Sequence, residues 1–181
     1  MNGKWVTLRA LQESDLEVLT KWNFDPVVTE FFSPRLPNSP AEQKQWLAAQ
    51  MSGAHKKKLM VLDAATQTPI GMLGIMAIDH VNKNAEIGLT IGEPSYWGKP
   101  HGKEALHLGL RFLFEEFNFH MVYLTIFERN VRGIRFFEKL GFRRDGLKRD
   151  CIFAHGTYHS LLFMSLLKSE FDSINYTALW E

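Results

Sequence analysis

Short apolar stretches separated by polar turns recur along the chain and predict β-strands. The residues from Val6 to Leu11 alternate and begin with a β-branched side chain, which predicts a first strand. Three apolar runs joined by short turns then predict an antiparallel meander. These runs are Leu59–Leu62, Ile70–Ile78 and Ala85–Ile91. Met121–Phe127 predicts another strand, and Phe142–Phe163 predicts a hairpin around His155-Gly156-Thr157.

Other stretches carry apolar residues every three or four positions, which is the spacing of an amphipathic helix. A first helix is predicted from Ser14 to just before Pro26. The longest pattern predicts a helix of about four turns with one apolar stripe. The stripe consists of Leu106, Leu110, Leu113 and Phe117.

Two further helices carry signals at their ends. Ser39, Pro40 and Glu42 form a capping box with a preset first turn, which predicts a helix start. A helix is also predicted from Asn130 to Leu140, and Gly141 supplies the left-handed residue that commonly ends a helix.

The order of these elements is β-α-α-β-β-β-α-β-α-β-β, which predicts a mixed α/β sheet with helices packed on its faces. We predict one domain over residues 1–181, with a core at about 5–166. Residues 31–40 contain three prolines and are predicted to form a loop. Residues 168–181 are predicted to form a peripheral tail.

Composition narrows the class of protein without naming a function. The 181 residues include 21 Lys and Arg against 20 Asp and Glu, and a net charge of +1 indicates neither nucleic acid nor an anionic membrane as partner. The lone Cys151 cannot form an internal disulfide, which fits a reducing cytoplasm. The first residues do not resemble a signal peptide, and no apolar run approaches the roughly 20 residues that span a bilayer.

The first candidate site is a glycine-containing turn, Trp97–Lys103, between a predicted strand and the longest helix. Glycines before a helix let the backbone approach a ligand closely, and the free amides of the helix start attract an anion such as phosphate. The turn lacks the Lys-Ser/Thr pair of a P-loop, and its strand belongs to a meander rather than to a dinucleotide-binding βαβ unit. The alternative is a turn that needs glycine only for its shape.

The stretch Asn130–Phe142 resembles the second signature of the GCN5-related N-acetyltransferase (GNAT) superfamily. It has the Asn, the aromatic pair Phe136-Phe137 and the closing Lys139-Leu140-Gly141-Phe142 of that signature. It follows the glycine turn by about thirty residues, with one helix and one strand between them, as in that superfamily.

Three earlier features are similar to the branch that acetylates ribosomal proteins and polyamines. They are Leu8-Arg9-Ala10-Leu11, Asp15-Leu16 and Glu86-Ile87-Gly88. The resemblance covers about residues 5–166. It implies an α+β fold whose largely antiparallel sheet splays between the fourth and fifth strands.

The resemblance also implies that acetyl-CoA lies in this V-shaped opening. Its pantetheine would pair with backbone groups of β-strand residues 89–91, and its pyrophosphate would bind the amides of residues 98–103. Asn130 would hydrogen-bond the pantetheine, and Arg132 is either a phosphate contact or a solvated helix charge. The cofactor-binding residues so implied are Leu89, Thr90, Ile91, Trp97, Gly98, Lys99, His101, Gly102, Lys103, Asn130, Arg132 and Phe137.

Two positions depart from the pattern of the family. Trp97 and Pro100 replace the Arg/Gln and the first glycine of the usual turn, and proline has no N–H to offer a phosphate. Phe137 replaces a tyrosine that protonates the leaving thiolate in many members. Acyl transfer tolerates this loss, because a thiolate with a pKa near 8.5 leaves without much help.

The reaction needs a base, since an alkyl amine is cationic at neutral pH. Glu86 is the candidate because it begins the strand that would hold the thioester, although it also fits a solvated or ion-paired carboxylate. A strand amide within residues 89–91 would stabilise the oxyanion. Tyr158 and His120 are candidates for a proton donor, although a buried aromatic residue and a surface histidine explain them better. The pair His155 and His159 lies in a predicted hairpin, so we expect no metal site.

We therefore interpret the sequence as an acetyl-CoA-dependent N-acetyltransferase that transfers acetyl directly to a primary amine. The alternative is a non-catalytic acyl-CoA-binding or regulatory protein of the same fold. The acceptor would be a small-molecule amine or a protein N-terminus. A set of aromatic residues could roof its pocket, although packing in the core explains them better. These residues are Trp5, Trp22, Trp46, Phe31 and Phe32. Relatives often form dimers, so a homodimer is predicted, which sedimentation would test.

Overall fold

The computed structural model describes residues 1–32, 38–52, 56–174 and 176, and these contain one seven-stranded sheet. The strands are β1 (Val6–Ala10), β2 (Lys57–Asp63), β3 (Pro69–Asp79), β4 (Asn84–Ile91), β5 (Met121–Phe127), β6 (Arg143–Ala154) and β7 (Thr157–Leu167). They lie side by side in the order β1-β2-β3-β4-β5-β7-β6. The predicted strands are therefore confirmed, including the hairpin that turns at His155 and Gly156.

The helices are α1 (Leu16–Phe24), α2 (Pro40–Met51), α3 (Pro100–Arg111), α4 (Val131–Lys139) and α5 (Lys168–Ser173). The predicted element order is confirmed, with α5 added at the end. The capping box at α2 forms as expected: Glu42 donates its amide to Ser39 Oγ, and Ser39 donates its amide to the Glu42 carboxylate. Gly141 has φ +96° just after α4, as its place at a helix end requires.

All neighbouring strands pair antiparallel except β4 and β5, which are parallel. Their pairing covers only three positions and stops at Glu86, which lies opposite Tyr123. Beyond that pair the two strands separate, which confirms the predicted splay between the fourth and fifth strands. The opening is bounded by the second halves of β4 and β5.

Helices cover both faces of the sheet, as predicted. The larger core lies on the face of α3 and α4 and includes Leu73, Ile87 and Leu124. The smaller core lies on the face of α1 and α2 and includes Trp22 and Met60. Because side chains alternate along a strand, Glu86, Gly88 and Thr90 point to the face of α1 and α2. We call this face the acceptor side and the other face the cofactor side.

The motif that links β1 to α1 has a structural explanation. Arg9 at the end of β1 donates two hydrogen bonds to the Asp15 carboxylate, at 2.8 and 2.7 Å. Asp15 is 2% exposed and also accepts the amide of Gln12. A planar guanidinium suits such a two-pronged contact, and here it fixes where α1 begins.

The predicted apolar stripe of the longest helix is wrong at its last position. Leu106, Leu110 and Leu113 are buried, but Phe117 is 46% exposed and Phe114 is buried instead. The reason is a π-helical turn over Phe112–Glu116, in which the Phe117 amide bonds to the Phe112 carbonyl oxygen. That turn contains one residue more than an α-helical turn, so later side chains rotate off the stripe.

The predicted peripheral tail is also wrong for its described residues. Phe171 and Tyr176 are buried in the larger core, and Phe171 packs on Phe114 with ring centroids 5.0 Å apart. The Tyr176 hydroxyl donates to the carbonyl oxygen of Leu140, at 3.1 Å. The aromatic residues of this segment bury apolar surface, which stabilises their attachment to the core. Residue 175 and residues 177–181 lie outside the described residues, as do residues 33–37 of the predicted loop.

The start of the chain is held by a buried carboxylate of α3. Glu104 is 7% exposed and accepts the backbone amides of Lys4, Trp5 and Val6, at 2.8, 2.7 and 2.8 Å. An acidic residue in a helix ordinarily faces solvent, so the sequence pattern gave no sign of this role.

Candidate active site

A cleft of about 940 Å³ occupies the opening between β4 and β5 and continues across both faces of the sheet. Its cofactor side is bounded by the start of α3 and by α4, and its acceptor side by the loop after α1 and by α2. Eleven of the twelve predicted cofactor-binding residues line it, and His101 does not. A single passage thus connects the two sides of the sheet at the splay.

The second half of β4 forms one edge of the cleft. Gly92 donates its amide to Ile70 on β3, so strand alternation directs the backbone groups of Leu89 and Ile91 toward the opening. The Ile91 carbonyl oxygen already accepts the indole N–H of Trp97, at 2.8 Å. The Thr90 backbone points to β3, and Thr90 lines the cleft on the acceptor side.

The turn before α3 places a helix start against the cleft. Gly98 has φ +78°, which favours glycine, and Lys99 is the N-cap residue. Pro100 is the first helical residue, a position where a preset φ favours the helix. Its missing N–H leaves the backbone amides of residues 101–103 as the donors of the first turn. The Lys99 ammonium lies 4.9 Å from the Tyr96 ring centroid, beside this turn.

The His101 side chain turns away from the cleft to the loop between β2 and β3. Its Nε2 lies 3.2 Å from the Asp63 Oδ2, and its ring packs edge-on against Tyr96. The other carboxylate oxygen of Asp63 accepts the amides of Thr66 and Ala65, at 2.9 and 3.0 Å. This network ties the β2–β3 loop to the helix start. Only the backbone of His101 remains available for a phosphate.

Asp63→Asn is expected to destabilise the protein at pH 7 by about 1 kcal/mol, because hydrogen bonds to a charged acceptor are lost. The Thr66 amide is the largest of the causes that lower the pKa of Asp63 below its ordinary value. A lowered folded pKa adds stability above the unfolded pKa of about 3.9, and that stability is lost as pH falls through the folded pKa. Urea unfolding measures the difference in free energy of unfolding between the protein and this variant. That difference should be constant down to about pH 5 and smaller at pH 3. An equal difference at pH 3 would rule out this explanation.

Arg132 at the start of α4 spans the cleft to Trp97. Its guanidinium carbon lies 4.0 Å from the centroid of the indole, within the range of a cation–π contact. Trp97 therefore donates its indole N–H to the Ile91 carbonyl oxygen, and the face of its ring contacts the Arg132 cation. This geometry gives a role to the residue that replaces the usual Arg/Gln, and the exposed Arg132 side chain contacts its ring.

Asn130 and Phe137 lie on the opposite wall. The Asn130 Oδ1 accepts the Gly133 amide at 2.9 Å and so caps α4. The Phe137 side chain is buried against Phe136 and Phe142. The tertiary structure thus uses both residues to shape the wall, and their predicted contacts with a bound cofactor stay predictions.

Positive charge is concentrated in the cleft although the whole chain is nearly neutral. Among the described residues, six cationic side chains and no carboxylate line it. These are Lys58, Lys99, Lys103, Arg132, Arg135 and Lys139. Arg135 and Lys139 were not among the predicted site residues, although successive spacings of three and four residues from Arg132 place all three on one face of α4. Such a cluster suits a polyanionic ligand.

Glu86 lies at the closed end of the cleft, at the last paired position of β4. The Thr125 hydroxyl, which comes from β5, donates to its Oε1 at 3.1 Å. Thr125 lines the cleft, whereas Glu86 lies behind it. Both side chains point to the acceptor side, where an incoming amine would arrive.

The candidate proton donors lie elsewhere. Tyr158 is 64% exposed on the β6–β7 hairpin beside Phe153, and neither Tyr158 nor His120 lines the cleft. In the described part of the chain, no group of three His, Cys, Asp or Glu residues could hold a metal ion. The His159 ring instead contacts the Ala154 carbonyl oxygen at 3.0 Å.

The predicted aromatic roof is correct in part. Phe31, Phe32 and Trp46 line the acceptor side of the cleft. Trp22 is buried in the smaller core, where it donates to Glu93 Oε1, and Trp5 packs against the larger core. A basic run, His55-Lys56-Lys57-Lys58, leads into β2. His55 lies outside the described residues, and the Lys58 ammonium lies 5.2 Å from the centroid of the Trp46 ring.

A splayed mixed sheet with a cation-lined cleft and a helix start at the splay defines a class of acyl-CoA-dependent transferases. The acetyltransferase (GNAT) domain family matches residues 6–143, so the chain belongs to this family. The resemblance drawn from the motifs is confirmed. The protein is an acetyl-CoA-dependent N-acetyltransferase, and the interpretation as an enzyme is confirmed over the non-catalytic alternative.

Several known proteins are similar along nearly the whole chain. The SPbeta prophage-derived uncharacterized N-acetyltransferase YokL of Bacillus subtilis is 29% identical over 170 residues, covering 94% of each chain. Spermidine N(1)-acetyltransferase of Vibrio cholerae is 23% identical, covering 94% of this chain and 97% of that one. A structure of the spermidine N-acetyltransferase from Vibrio cholerae with CoA and spermine has a TM-score of 0.86 and 23% identity. It covers 94% of this chain and 100% of its own, which shows a shared fold. None of the described helices is long and apolar enough to cross a membrane.

Proposed function

We propose that this enzyme transfers the acetyl group directly from acetyl-CoA to the primary amine of a small molecule, with Glu86 as the base. The observation that carries the proposal is the continuous cleft, which joins the cofactor side to the acceptor side beside Glu86 and Thr125. An amine and a thioester can meet there without a covalent enzyme intermediate.

The cofactor side supports a definite position for acetyl-CoA. The pantetheine lies along Leu89, whose backbone groups point into the opening, and the pyrophosphate lies on the amides of residues 101–103. Lys99 and Lys103 on the helix start, and Arg132, Arg135 and Lys139 on α4, complement the phosphates. Placed cations thus supply an attraction that the net charge of +1 does not.

The chemistry follows from this placement. Glu86 accepts a proton from the ammonium group through one water, because Thr125 stands between the carboxylate and the cleft. The amine nitrogen then attacks the thioester carbonyl carbon, and the Leu89 amide stabilises the oxyanion. The C–N bond forms, the nitrogen of the tetrahedral intermediate gives its excess proton to solvent water, and the C–S bond breaks. CoA leaves as the thiolate, since Phe137 cannot donate a proton.

A small-molecule acceptor is supported by the relatives. The Vibrio cholerae protein is by name a spermidine N(1)-acetyltransferase, and spermidine is a small amine. A protein N-terminus remains the alternative, because a relative with 31% identity over 102 residues is named a putative ribosomal N-acetyltransferase, YdaF of Bacillus subtilis. The homodimer and the absence of a nucleic-acid partner stay predictions. We propose a cytoplasmic location, which Cys151 as a free thiol supports.

Acetyl-CoA at 100 times its Kd is expected to stabilise the protein by about 2.7 kcal/mol, a rise in Tm of about 5–10 °C. Thermal unfolding with acetyl-CoA, CoA and ATP measures this. ATP serves as the matched polyanion without a pantetheine, so it should have a much smaller effect. Release of free thiol in the presence of a panel of primary amines then tests transfer. Stabilisation by ATP alone, or no thiol release with any amine, would refute the proposed function.

A further inference from the structure

We infer that the acceptor is an apolar, preferably aromatic, primary monoamine rather than a polyamine, an inference that rests on the proposed function and names its substrate class. The acceptor side of the cleft is apolar almost throughout. Its wall is formed by Val28, Phe31, Phe32, Trp46, Met72 and Met76. A wall of this kind stabilises an apolar substituent by removing it from water, and methionine adapts readily to an aromatic ring.

Two cationic side chains on the acceptor side would repel a polycation. Lys58 is the charged residue that lines it within the described part of the chain, and its ammonium lies over Trp46. The guanidinium carbon of Arg129 lies 5.4 Å from the Phe31 ring centroid, so a second cation borders the wall. A spermidine chain would place its further ammonium groups beside like charges.

Two carboxylates in the loops after α1 and β4 bind other groups of the protein. Asp25 accepts the amide of Val27 at 2.8 Å, and Glu93 accepts from Lys21 and Trp22 at 2.7 and 2.9 Å. Neither lines the cleft. Glu86 alone is held at the closed end, by Thr125. One carboxylate suits one amine, and burying the second ammonium of a polyamine without a partner is costly.

The test compares four acceptors in the thiol-release assay: 3-phenylpropylamine, n-propylamine, spermidine and a short peptide with a free N-terminus. The phenyl group is expected to raise kcat/KM about 10- to 100-fold over n-propylamine, from burial of its apolar surface. Spermidine should be no better than n-propylamine. A higher kcat/KM for spermidine than for 3-phenylpropylamine overturns the inference, as does preference for a peptide N-terminus over both. No release with any amine contradicts the proposed function itself.

Matched variants locate the effect on the wall. Phe31→Ala should lower kcat/KM for 3-phenylpropylamine about tenfold more than for n-propylamine. Phe24→Ala is the control, because Phe24 is an exposed aromatic residue that does not line this cleft. Lys58→Glu should raise kcat/KM for spermidine about tenfold, since it replaces repulsion by attraction. Undiminished stabilisation by acetyl-CoA shows that each variant is folded. Equal losses for both monoamines in Phe31→Ala would overturn the assignment of this wall.

Discussion

Glu86→Gln is expected to lower kcat by about 10²- to 10⁴-fold, the usual contribution of a general base. Glutamine keeps the size of the side chain and can still accept the hydrogen bond of Thr125, so the geometry of the closed end is retained. What is lost is a group that accepts a proton. The measurement is thiol release at saturating amine and acetyl-CoA, together with thermal stabilisation by acetyl-CoA, which should not change.

The pH dependence separates a lost base from a distorted site. Without Glu86 the amine must lose its proton to solvent, so the activity of the variant should rise with pH toward the pKa of the amine. Glu93→Gln is the control, because Glu93 lies just beyond β4 and holds Lys21 and Trp22 outside the cleft. If Glu86→Gln retains full activity at neutral pH, Glu86 is not the base.

Glu104→Ala is expected to destabilise the fold by about 3 kcal/mol. The substitution leaves the amides of Lys4, Trp5 and Val6 without their acceptor. Each buried amide without a hydrogen-bond partner costs about 1–3 kcal/mol. We take the lower end for each, because two of the three hydrogen bonds are only partly buried. For a chain of this length the expected fall in Tm is about 6–12 °C. Urea unfolding measures the change in free energy.

Two variants show whether the three amides account for this loss. Glu104→Gln keeps one carbonyl oxygen and should cost less than alanine. Glu115→Ala removes a half-exposed carboxylate that pairs with Arg111 four residues earlier, and surface pairs contribute only about 0.3–0.5 kcal/mol. A similar loss from Glu104→Ala and Glu115→Ala would contradict the role given to Glu104.

The elements of this fold could be predicted because their signals are local. Pro26 follows the end of α1, Ser39 and Glu42 begin α2, and Gly141 follows α4, each through backbone geometry that a few neighbouring residues set. The predictions that were wrong depend on longer-range packing. Phe117 leaves its stripe because of a π-helical turn, and Phe171 is buried because a distant surface accepts it.

The site shows the same division. The turn from Trp97 to Lys103 and the stretch after Asn130 could be identified from their residues, and eleven of the twelve residues predicted to bind the cofactor line the cleft. The direction in which each side chain points could not be predicted from the sequence. His101 turns to Asp63, and Arg132 stacks on Trp97, because partners far away in sequence compete for these groups.

By itself the sequence determined the order of strands and helices and the family, since periodicity, helix ends and motif spacing are properties of neighbouring residues. Only the tertiary structure decided where β4 and β5 part, and that point places Glu86 and Thr125 together. It also decided the charge of the cleft. A chain with a net charge of +1 gathers six cationic side chains at one opening, because folding brings β2, the start of α3 and α4 to the same place.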